Sequence, residues 1–350
     1  MRDRNHTEKM GMTQEAEMQE SVPGSIWQEA EMQDVVPGSI WQEPEMKQRT
    51  VVDGRIMKGI AGFYYVHTGN YGVVECHAKG SFRKDRIKPL VGDFVQIQML
   101  DCEKKLGNLI QVMPRKSRLL RPEVANVDQA LVVFAHSEPQ PNLNLLDKFL
   151  IMMGRNDIPC ILCFNKQDTV SEQMIKQMRQ IYAGSQVPVF SISATDETDA
   201  LVQQDVEQLR KLLSGKETVL AGPSGVGKST LVNRIYPEAA MATGTISRKS
   251  ERGKHTTRHS ELFSIGEQTY LMDTPGFTAF SLLDDMDKEE IRHYYPEFYP
   301  YEGKCRYDGC SHTHEPGCAV KEAVQNGKIH PRRYEGYVSI YDEIGTKRRY

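Results

Sequence analysis

Residues 222–230, Gly-Pro-Ser-Gly-Val-Gly-Lys-Ser-Thr, constrain the fold of this 350-residue chain more than any other feature. They follow the apolar run 219–221 and open the helix-like segment 231–235, so the pattern G-x-x-x-x-G-K-[ST] stands in the strand, loop, helix setting that its chemistry requires. Successive backbone N–H groups and a helix N-terminus make an anion cradle, and glycines let the backbone close on phosphate oxygens. Gly222, Pro223, Ser224, Gly225, Val226, Gly227, Lys228, Ser229 and Thr230 are therefore candidate phosphate contacts. Lys228 is expected to reach the β- and γ-phosphates, and the Ser229 hydroxyl to ligate magnesium.

Such a loop sits on a parallel sheet, and the chain upstream supplies one. DQALVVFA (128–135), PCILCFNK (159–166) and VPVFSISA (187–194) read as apolar strands, alternating with the helical segments 145–156 and 171–183. Strands separated by crossover helices imply a parallel α/β sheet. Two further motifs end strands of this region. Asp273 closes TYLMD and is followed by Thr-Pro-Gly276, which places a carboxylate toward magnesium and the Gly276 amide toward a γ-phosphate. Asn165-Lys166-Gln167-Asp168 ends PCILCF; a carboxylate at Asp168 accepts both the N1–H and the N2 amino hydrogens of guanine, and adenine offers neither donor on that edge. GTP is the expected nucleotide, with the Ala194 amide, in the Ser193-Ala194 loop, as the companion contact to the guanine carbonyl.

The formal net charge of −3 excludes a protein held to nucleic acid by bulk charge, but it hides a pattern. Residues 50–121 carry 13 basic and 6 acidic side chains, whereas 1–49 carry 5 and 10, and 122–300 carry 17 and 24. The basic block consists of short β-branched and aromatic runs broken by glycine, which reads as a small β-barrel of the oligonucleotide-binding (OB) type. Phe63, Tyr64, Tyr65 and Phe82 are available either to stack on bases or to fill its core. Before it lies an internal repeat: EAEMQESVPGSIWQ (15–28) recurs as EAEMQDVVPGSIWQ (29–42). Two copies and a fragment cannot stack into a solenoid, and the acidic, Gln-rich composition predicts a disordered extension. Its Trp27 and Trp41 either dock on a partner or mark a duplication without function.

Cys305, Cys310, His312 and Cys318 stand among turn-forming glycines and a proline. Three thiolates and one imidazole satisfy a tetrahedral structural zinc, one per chain, with His314 as a competing ligand. Cys160 and Cys163 lie three apart in a strand, point to opposite faces and are read as core. No apolar run approaches the length of a membrane-spanning helix, and the charged start MRDRNHTEKM lacks the apolar segment of a secretory signal. A cytoplasmic protein with reduced thiols is expected.

The order of the nucleotide motifs is unusual, because N-K-Q-D and S-A precede the phosphate loop and D-T-P-G follows it, a circular permutation of the ordinary small-GTPase order. With a basic barrel in front and a cysteine cluster behind, residues 50–350 resemble the ribosome small-subunit-dependent GTPase A family of bacterial small-subunit assembly. The chain is expected to have four parts: the disordered extension (1–49), which lies outside the family pattern, and three that the resemblance implies, an OB-fold RNA-binding domain (50–121), a circularly permuted P-loop GTPase domain (122–283), and a mostly α zinc-binding domain with a basic tail (284–350). It implies a protein that binds GTP or GDP and the small ribosomal subunit through rRNA and ribosomal proteins, hydrolyses GTP with magnesium in a ribosome-stimulated way, and acts late in subunit maturation; nothing in the sequence demands a dimer, and a monomer is expected. The segment 247–260 resembles the family's G-R-x-H-T-T-T switch, departing from it at Lys254 and Arg258. Thr257, or else Thr256, would close on magnesium and the γ-phosphate, and His255 is the candidate to orient or activate water. Phe277 stands where many GTPases carry a water-orienting glutamine, so the isolated enzyme is expected to be slow. The rival reading is a GTP-regulated RNA-binding module in which hydrolysis is incidental.

Overall fold

A computed structural model describes residues 50–80, 82, 87–120, 123–237, 260–266, 268–273, 283 and 285–347. The repeat, His255, Thr256, Thr257, Gly276, Phe277 and the tail residues 348–350 lie outside the described residues.

The barrel is built from β1 (Val51–Ile60), β2 (Phe63–Thr68), β3 (Gly72–Ala78), β4 (Phe94–Asp101) and β5 (Leu106–Val112). Pairings β1–β2, β2–β3, β4–β5 and β1–β4 are antiparallel, while β3–β5 is parallel, and together they close the sheet on itself. Closure removes exposed edges, and alternate residues such as Ile56, Val66, Val74, Ile97 and Leu109 fill the interior. Phe82 is buried, whereas Phe63, Tyr64 and Tyr65 are half-buried on β2, so the aromatic set divides between core and surface. A hairpin of β6 (Arg118–Leu120) and β7 (Glu123–Ala125) follows.

The central region comprises β8 (Gln129–Ala135), α1 (Leu143–Arg155), β9 (Cys160–Asn165), α2 (Glu172–Tyr182), β10 (Val189–Ser191), α3 (Ala200–Leu213), β11 (Glu217–Ala221), α4 (Lys228–Ile235), β12 (Glu261–Gly266) and β13 (Thr269–Asp273). The strand order is β10-β9-β8-β11-β13-β12, parallel except at β12. Strands β8 and β11 are buried along their whole length, as a sheet covered on both faces requires. Along β8 the faces alternate: Ala130, Val132 and Phe134 pack with Phe149 of α1 and Tyr182 of α2, while Leu131, Val133 and Ala135 pack with Leu209 of α3 and Leu231 of α4. Cys163 sits in the second core and Cys160 against the first, as their spacing in the strand dictates. Helices α1, α2 and α3 start on side-chain caps, with Asn142, Ser171 and Asp199 accepting from backbone N–H groups of the first turn.

The barrel is not a separate bead. Strand β1 also pairs with β12 at Lys58 and Glu261, so barrel and nucleotide sheet run on as one 11-stranded sheet. The C-terminal region holds two 3-10 segments (Lys288–Tyr294 and Pro296–Tyr301) followed by α5 (Ala319–Gln325) and α6 (Pro331–Lys347). Buried Arg333 of α6 pairs with Asp147 of α1 and with Glu297, and the Tyr182 hydroxyl donates to Asp147 at 3.1 Å, which fastens this region to the nucleotide domain.

Candidate nucleotide site and cysteine cluster

Each nucleotide motif found in the sequence starts at the carboxyl end of a strand in the parallel sheet. Asn165 ends β9, Ser193 and Ala194 follow β10, Gly222 follows β11, and Asp273 ends β13. In open α/β sheets the crevice outside these ends is where ligands bind.

The loop between β11 and α4 has the backbone that its glycines allow. Gly222, Gly225 and Gly227 all have positive φ, and a Cβ on Gly222 would lie 2.0 Å from the Val133 carbonyl oxygen of the neighbouring strand. Only glycine fits there. Gly227 precedes the first turn of α4, whose unpaired amides and positive dipole end face the crevice. Ser224 and Gly225 are exposed, Val226 is buried as the anchor of the loop, and Pro223, Ser229 and Thr230 are half-buried. The Lys228 ammonium lies over the loop and donates to the carbonyls of Gly222 (2.8 Å) and Pro223 (2.7 Å). Burial lowers its pKa and the charge of Asp273 opposes that shift, so the two groups feel each other across the crevice. Asp273 is buried and pairs in register with Leu220 of β11, one strand from the loop.

Asn165 ties the base-reading and phosphate-reading loops together. Its amide donates to the Val226 carbonyl (2.9 Å) and its oxygen accepts from the Ala194 N–H (3.1 Å). Lys166 holds a left-handed backbone (φ 64°) and reaches the carbonyls of Glu138 (2.6 Å) and Gly225 (3.0 Å). That strained turn is fixed by Thr169, whose hydroxyl donates to the Lys166 carbonyl at 2.7 Å and contacts Ser137. Asp168 emerges from the turn exposed, and the buried Ser193 hydroxyl accepts from the Asp196 N–H, shaping the loop that presents Ala194. The arrangement offers a carboxylate and a backbone amide beside a phosphate cradle.

Sequence reasoning missed two neighbours. The loop after β8 touches the site through the Glu138 carbonyl, a backbone contact with no side-chain signature. His136 at the end of β8 is buried, its N–H donating to the Asn165 carbonyl and its ring 5.3 Å from that of Phe164. Burial pushes its pKa down to about 4, with Arg179 adding to the shift, so this imidazole is neutral.

The four residues of the C-terminal cluster converge, with one ligand atom of each within 4.8 Å of all the others. His312 turns its Nδ1 inward, 3.5 Å from the Cys305 sulfur and 3.4 Å from that of Cys318, while His314 is exposed. The supporting shell is dense. Glu315 accepts from the Ser311 N–H and hydroxyl and from the Thr313 N–H, and the hydroxyls of Tyr334 and Tyr337 donate to the carbonyls of His312 and Ser311. A soft, tetrahedral cation fits this donor set, and the cluster could hold a zinc ion.

A family model described as RsgA GTPase matches residues 112–283, and one described as RsgA N-terminal domain matches residues 53–105. A protein from Agathobacter rectalis, named small ribosomal subunit biogenesis GTPase RsgA, is 47% identical over 309 residues, covering 85% of this chain and 99% of that protein. The chain belongs to the RsgA GTPase family. Another RsgA relative of the same name, from Alkaliphilus metalliredigens, is 44% identical and again covers 85% of this chain and 99% of its own. Among solved structures, YjeQ from Thermotoga maritima superposes with a TM-score of 0.68 at 33% identity, over 84% of this chain and 99% of that one. YloQ, described as a circularly permuted GTPase, gives 0.66 at 32% identity, over 86% and 98%. The permuted order read from the motifs and the OB-like barrel are thus those of the RsgA family, and the C-terminal cysteine cluster of this chain could bind zinc.

Proposed function

We propose that this chain is a magnesium-dependent GTP hydrolase that binds the small ribosomal subunit late in its maturation, is stimulated to hydrolyse GTP there, and then leaves. The observation that carries the reading is the convergence of the Asn165–Asp168 turn, the Ala194 loop, the 222–230 loop and Asp273 on one crevice of a sheet that continues into a basic OB-type barrel. The relatives' name supplies the subunit as partner.

In this reading Asp168 and the Ala194 amide select guanine, with Ser193, Asn165 and Lys166 holding their loops in place. Gly222, Pro223, Ser224, Gly225, Val226, Gly227, Lys228 and Thr230 surround the phosphates, and the Gly276 amide meets the γ-phosphate. Ser229, Asp273 and Thr257, or else Thr256, would hold magnesium, which neutralises charge on the phosphates when bound. His255 orients or activates water. Zinc on Cys305, Cys310, His312 and Cys318 is structural, because four protein ligands leave no open position for chemistry. The domains follow the boundaries read from the sequence, and barrel and C-terminal region contact rRNA and ribosomal proteins from two sides. The protein acts as a cytoplasmic monomer; no helix among the described residues is long and apolar enough to cross a membrane.

Phe277 keeps a second reading in play, since a phenyl ring cannot hydrogen-bond the attacking water and GTP would then only tune RNA affinity. The test is co-sedimentation with purified small subunits in the presence of GDP, GTP or a non-hydrolysable GTP analogue, with phosphate release followed in parallel. Binding favoured by the analogue, with release of the protein upon GTP turnover, is expected. Binding indifferent to the nucleotide would overturn the proposal.

A further inference from the structure

The barrel meets the nucleotide sheet along β1, and two cationic side chains of that strand carry the contact. Lys58 pairs at 3.0 Å with Glu261, the first residue of β12, which the sequence places directly after the 247–260 switch segment. Arg55 lies deeper. Its guanidinium is sandwiched between the rings of Phe94 on β4 (4.5 Å) and Tyr270 on β13 (4.6 Å), and it pairs with Glu217, the first residue of β11. Arg55 is 7% exposed and Glu217 1%. Strand β11 leads into the phosphate loop and β13 leads to Asp273. One barrel strand thus touches, through two side chains, the three strands that carry the phosphate loop, the Asp273 carboxylate and the switch.

The Arg55–Glu217 pair is built to hold an orientation. Separating a buried ion pair leaves an uncompensated charge, which disfavours any barrel movement that parts the two. The planar guanidinium fixes angle as well as distance, because it stacks on one ring from each side of the seam. Gly92 of the barrel approaches Glu217 so closely that a Cβ there would lie 2.7 Å from its carboxylate. The pair itself borders a cavity of about 750 Å³ in the seam, which Asp53, His67, Asp128 and Gln268 also line.

We propose that Arg55 is a positioning residue that ties the orientation of the barrel to the state of the nucleotide site, so that RNA on the barrel and GTP in the sheet bias one another. Coupling of this kind is reciprocal. The inference rests on the functional reading above for its RNA partner, but the coupling itself is a property of the chain alone.

The test uses the full chain, as wild type, as Arg55→Lys, and as the double variant Arg55→Met/Glu217→Leu, which removes both charges and leaves no buried ion unpaired. Hydrogen exchange of residues 51–60 is compared between magnesium-GDP and a non-hydrolysable GTP analogue. The wild type should show at least a fivefold difference in exchange rate, the double variant none at an unchanged melting temperature, and Arg55→Lys an intermediate difference, because charge is kept and planarity lost. In a second arm, hydrolysis stimulated by small ribosomal subunits should fall at least tenfold in the double variant while the unstimulated rate stays within twofold. A nucleotide-dependent difference that persists in both variants, or that is absent from the wild type, overturns the inference. A wild type that subunits do not stimulate overturns the functional reading instead, and the exchange arm still decides the coupling.

Discussion

At the scale of single residues, the site depends on a few positions where chemistry or space admits one side chain. In the proposed reading Asp168 accepts two hydrogen bonds from guanine; an asparagine there would turn an N–H toward those donors. Asp168→Asn should weaken GTP binding by at least 100-fold, on the order of 3 kcal/mol, and improve binding of xanthosine triphosphate, whose edge carries a carbonyl instead; nucleotide titration of both checks this. At Gly222 a methyl group would enter the Val133 carbonyl, so Gly222→Ala should lower GTP affinity at least tenfold even where circular dichroism shows an intact fold. His136 predicts an acid sensitivity. Its pKa falls from 6.5 to about 4 on folding, so below pH 6.5 the unfolded chain takes up a proton that the folded chain refuses. Stability contributed by the neutral imidazole is whole above pH 6.5 and is lost as the pH falls toward 4, by ~3 kcal/mol at the lower end. Denaturant midpoints of His136→Leu and wild type at pH 7 and pH 4.5 should therefore converge or cross in acid; parallel curves would refute the assignment.

At the scale of elements, two devices fasten the C-terminal region. The first is the cysteine cluster, whose third thiolate, Cys318, immediately precedes α5. Structural zinc supplies on the order of 10 kcal/mol to small modules, so Cys318→Ser or chelation should remove the melting transition of residues 285–347 and leave nucleotide binding by the central sheet measurable. The second is Arg333, buried between Asp147 and Glu297. Arg333→Met strands two buried carboxylates and should cost roughly 3–5 kcal/mol, read as a fall in the urea midpoint. These elements differ in how legible they were. The 222–230 loop, the Asn165 turn and the cysteine cluster carry local signatures, because their chemistry fixes residue types at fixed spacing. Strands β8 and β9 were legible as apolar runs because both faces of the sheet are covered. The ties between elements had no such signature: Asn165 bridging to Val226 and Ala194, or Arg333 reaching Asp147 from 186 residues away, depend on tertiary placement that spacing does not encode.

At the scale of the whole molecule, the four-part reading anticipated a barrel standing in front of a nucleotide domain, and the barrel does close as expected. The junction was not legible. Lys58 and Arg55 read in the sequence as two more cations of a basic block, and only the pairing of β1 with β12 turns them into contacts with Glu261 and Glu217. Charge patterning reports a surface, whereas a seam requires knowing which strand lies beside which. A sheet shared between an RNA-type barrel and a nucleotide crevice gives physical content to the central claim, that the subunit governs hydrolysis. The direct measurement is GTP hydrolysis with and without purified small ribosomal subunits, for wild type and His255→Ala. A slow intrinsic rate, raised at least 100-fold by subunits in the wild type and not in the variant, is expected; a rate that subunits leave unchanged would contradict the account.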